Sequence, residues 1–334
     1  MSSVREIASR VGVSVATVSR VINNDPRVSE AMRDRVLKAA NQSRYVPKVG
    51  SRSTMNIALL YTDEPSLDSP YDSALLQGMG QRMDEFGFAL MILRGSHTRS
   101  PSETYTQMLM RKGVRGAVIR TTSRTQEACE EIATEGFPAV VVGDRFDNSK
   151  VSFVSSDSRS GSREATSHLL QLGHHRIAIC TNIVDDFDHA DRILGYRDAK
   201  TAAGKETDPR LILRTPANRA GGRQVIRRLM TGDFRPTAIY LADPMAAVGA
   251  MHELIDMGLK VPGDLSLIGF DDGEIRHLMH PTMTAVCQDA AELGREAFQM
   301  LHSIIDNSTK HAVHRRILPT VLEIHGSTAA APQE

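Results

Sequence analysis

The chain has no tryptophan, and aromatic residues make up only 4% of its 334 residues. Its core must therefore be filled by aliphatic side chains and methionine, for which a 41% share of hydrophobic residues is sufficient. Only three cysteines are present, Cys129, Cys180 and Cys287. An odd, dispersed set argues against a disulfide framework and favours a reducing compartment. The cysteines show no zinc-type spacing, so we predict neither a metal nor a cofactor.

Two further absences limit the function classes. The N-terminus has no apolar signal core, and no apolar run approaches the ~20 residues that a membrane span needs. We therefore expect a cytoplasmic protein with no membrane partner. The sequence also contains no G-x-G-x-x-G, G-x-x-x-x-G-K-[ST], H-E-x-x-H or nucleophile-elbow motif. Without a catalytic constellation, an enzyme is not predicted and no catalytic residue is assigned.

One stretch of the sequence contains a cluster of potential metal ligands. It combines four aspartates and a histidine within seven residues: Asp185, Asp186, Asp188, His189 and Asp191. Carboxylates of this kind can bind hard cations. Their spacing matches no metal-binding loop, so we favour a solvated acidic loop.

The overall charge of zero hides an asymmetry between the two ends of the chain. Residues 1–50 carry nine Lys or Arg and four Asp or Glu, a net charge of +5. Since the whole chain has 40 of each sign, the remainder carries −5. A basic head on a mildly acidic body is typical of a DNA-binding module joined to a body that does not bind DNA.

The basic head contains a pattern of two short amphipathic helices. Apolar residues recur at i, i+3, i+4 and i+7 in the first helix, at Val4, Ile7, Ala8 and Val11. Gly12 can end this helix, and Ser14 can cap the next one. Val15, Val18 and either Val21 or Ile22 can then face helix one. Two helices joined by a tight turn predict a helix-turn-helix, although pattern alone leaves an ordinary amphipathic hairpin equally open.

The side chains left toward solvent suit contact with DNA. Small residues let the second helix enter the major groove deeply, hydroxyls can bond phosphates or base edges, and Arg20 can donate a fork of hydrogen bonds to guanine. The predicted DNA contacts are Ser14, Val15, Ala16, Thr17, Ser19, Arg20, Asn23 and Tyr45.

Residues 4–23 read V-x-x-I-A-x-x-x-G-V-S-x-x-T-V-S-R-V-I-N, followed by Val28-Ser29 and Arg44-Tyr45-Val46-Pro47. This wording closely resembles the DNA-binding headpiece of the lac repressor (LacI/GalR) family. The resemblance implies a third helix near residues 30–43, capped by Ser29. It also implies base-reading positions at Val15, Ala16 and Arg20, and phosphate-side positions at Thr17 and Ser19.

The rest of the chain alternates short apolar runs with helical patterns, which predicts parallel sheets covered by helices. Gly173-His174, Arg192-x-x-Gly195-Tyr196, Gly269-Phe270-Asp271-Asp272 and His325-Gly326-Ser327 resemble landmarks of the same family. The resemblance implies a two-lobed α/β domain like that of periplasmic sugar-binding proteins. We expect the chain to cross between lobes near Asp157 and near residues 285–288, and residues 313–324 to form a last strand.

The predicted organisation has four parts. They are a headpiece at 1–47, a short linker at 48–56, a two-lobed effector-binding and dimerisation domain at 57–327, and a disordered tail at 328–334. The first lobe is expected to span about 57–157 and 286–327, and the second about 158–285.

Ligands of open α/β sheets lie beyond the carboxyl ends of the strands. By resemblance, the residues there line an effector cleft: Tyr71, Arg120, Asp144, Arg192, Asp243, Asp271 and Gln288. We expect Arg192 to be the main polar anchor and Asp271 to face it. Asp243-Pro244 replaces the family's usual Asn-Asp, which changes the preferred hydroxyl pattern. Arg120 and Arg192 together could grip a carboxylate or phosphate, so a sugar acid or sugar phosphate stays open beside a neutral sugar.

The sequence thus predicts a homodimeric, nucleoid-associated transcription repressor on a palindromic double-stranded DNA operator, controlled by a small sugar-like effector. Two other classes are less well supported. A solute-binding protein would share the body but not the basic headpiece. An enzyme fused to a DNA-binding module would need catalytic residues that the sequence does not show.

Overall fold

The protein is described here by a computed structural model. The structure describes residues 3–22, 25, 27–43, 54–62, 67–121, 126–184, 186–306 and 313–333. The predicted DNA contacts Asn23 and Tyr45 lie outside these residues, as do Asp185 and residues 48–53 of the linker.

Three helices form the headpiece: α1 (Val4–Val11), α2 (Val15–Ile22) and α3 (Glu30–Gln42). Gly12 ends α1 at a φ of 73°, a left-handed conformation that glycine adopts without a Cβ clash. The apolar faces of the helices meet in one small core, where Ile7, Val18 and Val36 are fully buried. The predicted third helix is therefore confirmed. Its predicted cap is too, because the Ser29 hydroxyl accepts a hydrogen bond from the Met32 N–H.

The first lobe is built on a six-stranded parallel sheet. Its strands are β1 (Asn56–Tyr61), β2 (Ala89–Arg94), β3 (Gly116–Arg120), β4 (Ala139–Val142), β5 (Phe153–Ser156) and β11 (Arg315–Leu318), in the order β11-β5-β4-β3-β1-β2. Its helices are α4 (Pro70–Phe86), α5 (Gly95–Thr98), α6 (Tyr105–Lys112), α7 (Gln126–Glu135) and α12 (Ala290–Ile305).

The second lobe repeats the plan with a second six-stranded sheet. Its strands are β6 (Ile177–Asn182), β7 (Ile212–Thr215), β8 (Ala238–Leu241), β9 (Ser266–Asp271), β10 (Thr284–Cys287) and β12 (Val321–Glu323), in the order β12-β10-β9-β8-β6-β7. Only β12 runs antiparallel within this described sheet. The covering helices are α8 (Ser158–Gln171), α9 (Phe187–Ala202), α10 (Arg219–Thr231) and α11 (Pro244–Asp256).

Both sheets carry an apolar cluster on each face, which explains why the strands read as continuous apolar runs. In β1, Ile57 and Leu59 pack on one side of the sheet, whereas Ala58 and Leu60 pack on the other. The strands of the second lobe divide in the same way between two clusters. The predicted α/β class is confirmed. Among the described residues, no helix is long and apolar enough to cross a bilayer.

The chain crosses between the lobes three times, whereas two crossings were predicted. Residues 284–287, expected to be part of a crossover, form β10 and pair with β9 in the second lobe. Residues 313–324, expected to be one strand, are divided at Pro319, which has no N–H to continue a ladder. The first half, β11, belongs to the first lobe, and the second half, β12, returns to the second lobe. The first lobe therefore does not extend over all of 286–327.

The three crossings lie side by side at the waist of the body. Asp157 N–H donates to the Leu318 carbonyl at 2.8 Å, and the Thr320 hydroxyl donates to the Asp157 carbonyl at 3.0 Å. The Ser156 hydroxyl donates to Gln288 Oε1 at 2.6 Å. Hydrogen bonds thus join each crossing segment to its neighbour.

The tail was predicted to be disordered, and the described residues 328–333 show that this prediction is wrong. Ala331 N–H donates to the Leu172 carbonyl at 2.8 Å, and Ala329 N–H donates to the Ser266 hydroxyl at 3.1 Å. The second lobe satisfies backbone groups of the tail, so a composition rich in Ala and Pro gave no sign of the docking.

The headpiece rests on α6 of the first lobe. The Ser102 hydroxyl donates to Asp34 of α3 at 3.4 Å. Nearby, Val21 and Leu37 of the headpiece and Met110 of α6 line a shared cavity. The DNA-binding module is thus in direct contact with one lobe of the body.

Candidate DNA-reading helix and effector cleft

Helix α2 presents one face to the headpiece core and the opposite face to solvent. Val18 and Val21 are buried, whereas Ala16, Ser19 and Arg20 are exposed and Val15 keeps 47% of its surface accessible. Val15 is therefore outside the headpiece core, which corrects the expectation that it faces α1. The three positions that were predicted to read bases, Val15, Ala16 and Arg20, lie together on this exposed side of the helix.

Ser14 and Thr17 have a structural task at the start of the same helix. The Ser14 hydroxyl accepts from the Thr17 N–H at 3.0 Å, and the two hydroxyls lie 2.9 Å apart. Ser14 is thus the predicted cap of α2, since its oxygen satisfies an N–H that lacks a helical partner. Both hydroxyls remain at the N-terminal end of the helix, where phosphate oxygens bind well.

Two other arginines of the headpiece hold its helices together. Arg35 Nη2 donates to the Val11 carbonyl at the end of α1, and Arg33 Nη2 donates to the Asp25 carbonyl, each at 3.1 Å. These guanidiniums bind chain carbonyls. Arg20, in contrast, is exposed on the last turn of α2.

The second candidate site lies where the carboxyl ends of the two sheets face each other. In the first lobe, Arg120 Nε donates to Asp72 at 3.0 Å, and its guanidinium carbon lies 4.4 Å from the centre of the Tyr71 ring. A Cβ added to Gly143, at the end of β4, would lie 2.8 Å from the Tyr71 hydroxyl. Tyr71, Arg120 and Asp144 are therefore brought together, as predicted.

Arg192 holds the corresponding place in the second lobe. Its guanidinium carbon lies 3.6 Å from the centre of the Phe270 ring, and its nitrogens donate to the Ala242 carbonyl and to Asp188. The side chain is 6% exposed, so this is a buried cation and not a surface pair at a helix start. Helix α9 begins at Phe187, which places Arg192 in its second turn.

Asp271 does not face Arg192, which corrects the predicted pairing. Its carboxylate is fully buried and accepts from Arg276 Nη1 at 2.9 Å, from the Arg276 N–H at 3.1 Å and from the Gly273 N–H at 3.2 Å. These bonds leave Asp271 as a structural group in the turn after β9. At the next residue, Asp272, burial raises the carboxyl pKa and the charge of Arg192 opposes that rise.

Asp272 and Gln288 form a link across the waist. The Gln288 amide donates to Asp272 while its carbonyl oxygen accepts from Ser156 of the first lobe. Burial raises the pKa of the Asp272 carboxyl to about 7. Gln288 therefore belongs to the cleft as predicted, and Asp272 is a cleft residue that the prediction missed.

Asp144 and Asp243 also lie in the cleft, and the carboxylate of each accepts hydrogen bonds from neutral groups. Asp144 accepts from the Arg145 N–H at 2.8 Å and from the Thr121 hydroxyl at 3.3 Å. Asp243 caps α11 by accepting from the N–H groups of its first turn at 3.0 and 3.1 Å. Burial raises the pKa of the Asp144 carboxyl to about 6 and also raises the pKa of Asp243.

The two lobes are joined directly across the cleft by an ion pair between Arg145 and Asp191. Arg145 was not predicted, whereas Asp72 was expected among the polar residues after the first strand, and Asp188 and Asp191 were considered only as surface partners of Arg192. The acidic stretch that contains Asp188 and Asp191 was interpreted as a solvated loop. In the structure its described part is the start of α9, and its carboxylates pair with cations of the cleft.

One group among the described residues has the side chains and spacing of a metal site. The ligand atoms of His277, Glu323 and His325 lie within 4.8 Å of one another in the second lobe. Arg276 already binds the Glu323 carboxylate through two nitrogens, at 2.7 and 3.1 Å. A metal ion there would have to share that carboxylate with a guanidinium, which opposes binding.

Comparison with known proteins matches both parts of this architecture. Residues 3–48 match the model of bacterial regulatory proteins of the lacI family, and residues 166–328 match a periplasmic binding protein-like domain. The chain is 31% identical over 337 residues to the HTH-type transcriptional regulator DegA of Bacillus subtilis (strain 168), covering 98% of each chain. The chain belongs to the lacI family. Members of the lacI family are transcription regulators and not enzymes, and this chain is a DNA-binding regulator of that kind.

Solved structures of transcriptional regulators share the fold. A complex of the transcriptional regulator CelR with cellobiose is 29% identical, has a TM-score of 0.75 and is matched over 98% of this chain and 100% of the other. A lacI-family regulator from Enterococcus faecium with bound ribose is 26% identical, has a TM-score of 0.73 and is matched over 83% and 100%.

Proposed function

We propose that this lacI-family regulator acts as a homodimeric repressor on a palindromic operator and releases or binds DNA in response to a sugar-like effector held between its lobes. It would act in the cytoplasm, on the nucleoid. Two headpieces related by a two-fold axis match the symmetry of a palindrome, with one headpiece in each half-site.

The exposed face of α2 supports the DNA part of the proposal. Val15 and Ala16 are small enough to let the helix sink into the groove, and Arg20 can reach a guanine edge. Arg33 and Arg35 each donate to chain carbonyls, so these two stabilise the module. Asn23 and Tyr45 remain proposed contacts on the sequence alone.

One observation carries the effector part of the proposal: polar atoms without a protein partner converge on the cleft. Among the described residues, buried side-chain atoms that lack a hydrogen-bond partner include the hydroxyls of Thr62, Tyr71 and Thr181, His189 Nε2 and Arg192 Nε. Buried polar groups are normally hydrogen-bonded, so a cluster of exceptions indicates a hydroxylated ligand. The sugars bound to CelR and to the Enterococcus faecium regulator point to the same ligand class.

An effector bound by both lobes can favour one degree of closure over another. It shifts the equilibrium only by its difference in affinity for the two states, and the operator affinity changes by the same coupling factor. Arg145 and Asp191, which join the lobes directly, are the groups that closure would bring together or separate.

The proposal is tested with the full chain. Duplexes selected from a random pool should contain a palindrome, and fluorescence anisotropy should show an affinity for it that changes at least tenfold with an identified sugar. Arg192→Ala should remove the response to sugar and keep the affinity for the operator. Failure to select any sequence would refute the DNA part, whereas a selected operator that no sugar affects would refute the effector part alone.

A further inference from the structure

The cleft contains more carboxylates than cations. Its described side chains include seven aspartates and three arginines: Asp72, Asp144, Asp186, Asp188, Asp191, Asp243 and Asp272, against Arg120, Arg145 and Arg192. A site built for a carboxylate or phosphate would show the opposite balance, since anions are bound by clustered guanidiniums and N–H groups.

Each cation in the cleft already has its own carboxylate. Arg120 pairs with Asp72 at 3.0 Å, Arg192 pairs with Asp188, and Arg145 pairs with Asp191. His189 Nδ1 contacts Asp186 at 2.8 Å in the same way. Arg120 and Arg192 are thus neutralised by the protein, and the idea that they jointly grip an anionic effector loses its basis.

Three carboxylates remain after these pairs are formed: Asp144, Asp243 and Asp272. Their hydrogen-bond donors among the described residues are neutral, namely backbone N–H groups, the Thr121 hydroxyl and the Gln288 amide. Burial raises the pKa of all three carboxyls, and at Asp243 and Asp272 it outweighs the opposing charge of Arg192, which is itself paired with Asp188. Asp243 and Asp272 also interact with each other electrostatically in the second lobe.

A second, independent observation supports a ligand beside these carboxylates. The Tyr71 hydroxyl and Arg192 Nε are buried and have no partner among the described residues. The Arg192 guanidinium lies on the ring of Phe270, two residues before Asp272, and the Tyr71 hydroxyl lies beside Gly143, the neighbour of Asp144. An unpartnered hydroxyl and an unpartnered guanidinium N–H therefore face the same space as the excess negative charge.

We propose that the effector is an aminated sugar, whose ammonium group lies against Asp243 and Asp272 while its hydroxyls bind Tyr71 and Arg192. This rests on the proposed function, because it specifies the charge of the effector in the same cleft. One ammonium would donate to the acceptor-only carboxylates and compensate their charge. A neutral sugar would leave that charge uncompensated, and a sugar acid or sugar phosphate would add to it.

Titration calorimetry on the full chain at pH 7 tests the proposal with matched sugars. The probes are the amine, the N-acetylamine, the neutral hexose and the hexonate of three frames: gluco, galacto and manno. One amine should bind at least tenfold more tightly than its three partners. Its binding should also release protons to the buffer, because a cation lowers the pKa of Asp272.

Isosteric variants locate the charge. Asp272→Asn keeps an acceptor for Gln288, and Asp243→Asn keeps a helix cap, so both should fold. Each should weaken binding of the amine at least tenfold and change binding of the neutral hexose less than threefold. Asp198→Asn, at an exposed pair with Arg159 in the same lobe, should leave both unchanged.

Several outcomes would overturn the proposal. A neutral hexose or hexonate that binds as tightly as its amine would keep the sugar-responsive regulator and refute the charged effector. A rise in the melting temperature with Ca²⁺ alone that equals the rise with the amine would assign the excess carboxylates to a metal ion. If no sugar in the panel binds while operator binding is intact, both the aminated and the sugar effector are refuted, and the DNA-binding regulator remains.

Discussion

The headpiece and the cleft use arginine in opposite ways. Arg20 stands exposed on α2, whereas Arg192 is buried on the ring of Phe270 and bound to Asp188 and a chain carbonyl. An exposed cation meets its partner when DNA approaches, and its contribution is screened by salt. A buried cation must be matched during folding, because an unpaired charge inside the protein is costly. Under the proposed function, the same residue type thus serves binding in one region and both stability and binding in the other.

The largest expected effect follows from breaking the buried pair. Arg192→Ala leaves Asp188 as an uncompensated, poorly solvated charge, so we expect the free energy of unfolding to fall by about 3–5 kcal/mol. Urea denaturation measures this loss. Arg192→Lys should recover little, since a single ammonium cannot replace a planar fork that also lies on Phe270. A loss below about 1 kcal/mol would instead be typical of a solvent-exposed pair.

The next largest expected effect is a gain in the free energy of unfolding, and it concerns Asp272. Because burial raises the pKa of Asp272 to about 7, the folded state binds a proton there that the unfolded state releases at a lower pH. The stabilisation from that proton is complete at acid pH and is lost as the pH rises through 7. Burial is the largest cause of this raised pKa; Gln288 and Arg192 act against it, whereas the charges of Asp243 and Asp271 add to it.

Asp272→Asn removes that loss, since an amide needs no proton to stay neutral. We expect the variant to be more stable than the parent at pH 8, on the order of 2–3 kcal/mol, and nearly equal at pH 4. Denaturation at a series of pH values measures the difference. A variant less stable than the parent at pH 8 would show that the Asp272 charge is well compensated.

Substitution of the exposed Arg20 should affect DNA binding and not stability. Arg20→Ala should weaken specific operator binding by roughly 1–3 kcal/mol, as for loss of a bidentate base contact, and leave the free energy of unfolding unchanged. Anisotropy with operator and random duplexes at several salt concentrations separates base from phosphate contact. Equal losses on both duplexes would mean that Arg20 binds only phosphate.

The smallest effect is expected where a cation is both exposed and paired. Arg82 and Glu85 form a pair at 2.8 Å on α4, with side chains 40% and 52% exposed. Arg82→Ala should change the free energy of unfolding by less than about 1 kcal/mol and should change neither DNA nor effector binding. Urea denaturation in parallel with Arg192→Ala gives the contrast. A loss comparable to that of the buried pair would show that exposure does not determine the difference.

Local signals in the sequence predicted the headpiece well. Gly12 and Ser14 decide where α1 ends and α2 begins by their own backbone and side-chain chemistry, and neither depends on a distant partner. The alternation of strands and helices was predictable for a similar reason, because strands covered on both faces read as short apolar runs.

What the sequence could not predict depends on distant contacts. Asp271 and Asp272 are neighbours of the same type at a strand end, and only the position of Arg276 decides which one enters the cleft. Strand β10 is short and was predicted as a crossover, since its pairing with β9 is not visible locally. The tail docks through backbone hydrogen bonds, and these cannot be predicted from the types of its side chains.

The triple connection at the waist limits how the two lobes can move. A single tether would let one lobe swivel in any direction relative to the other. Three parallel segments, bonded to one another at Asp157, Leu318 and Gln288, resist twisting and leave bending about one axis as the easiest deformation. Motion of the lobes is thereby reduced to nearly one coordinate. Since the headpiece rests on α6 of the first lobe, we expect α2 to move with that lobe along the same coordinate.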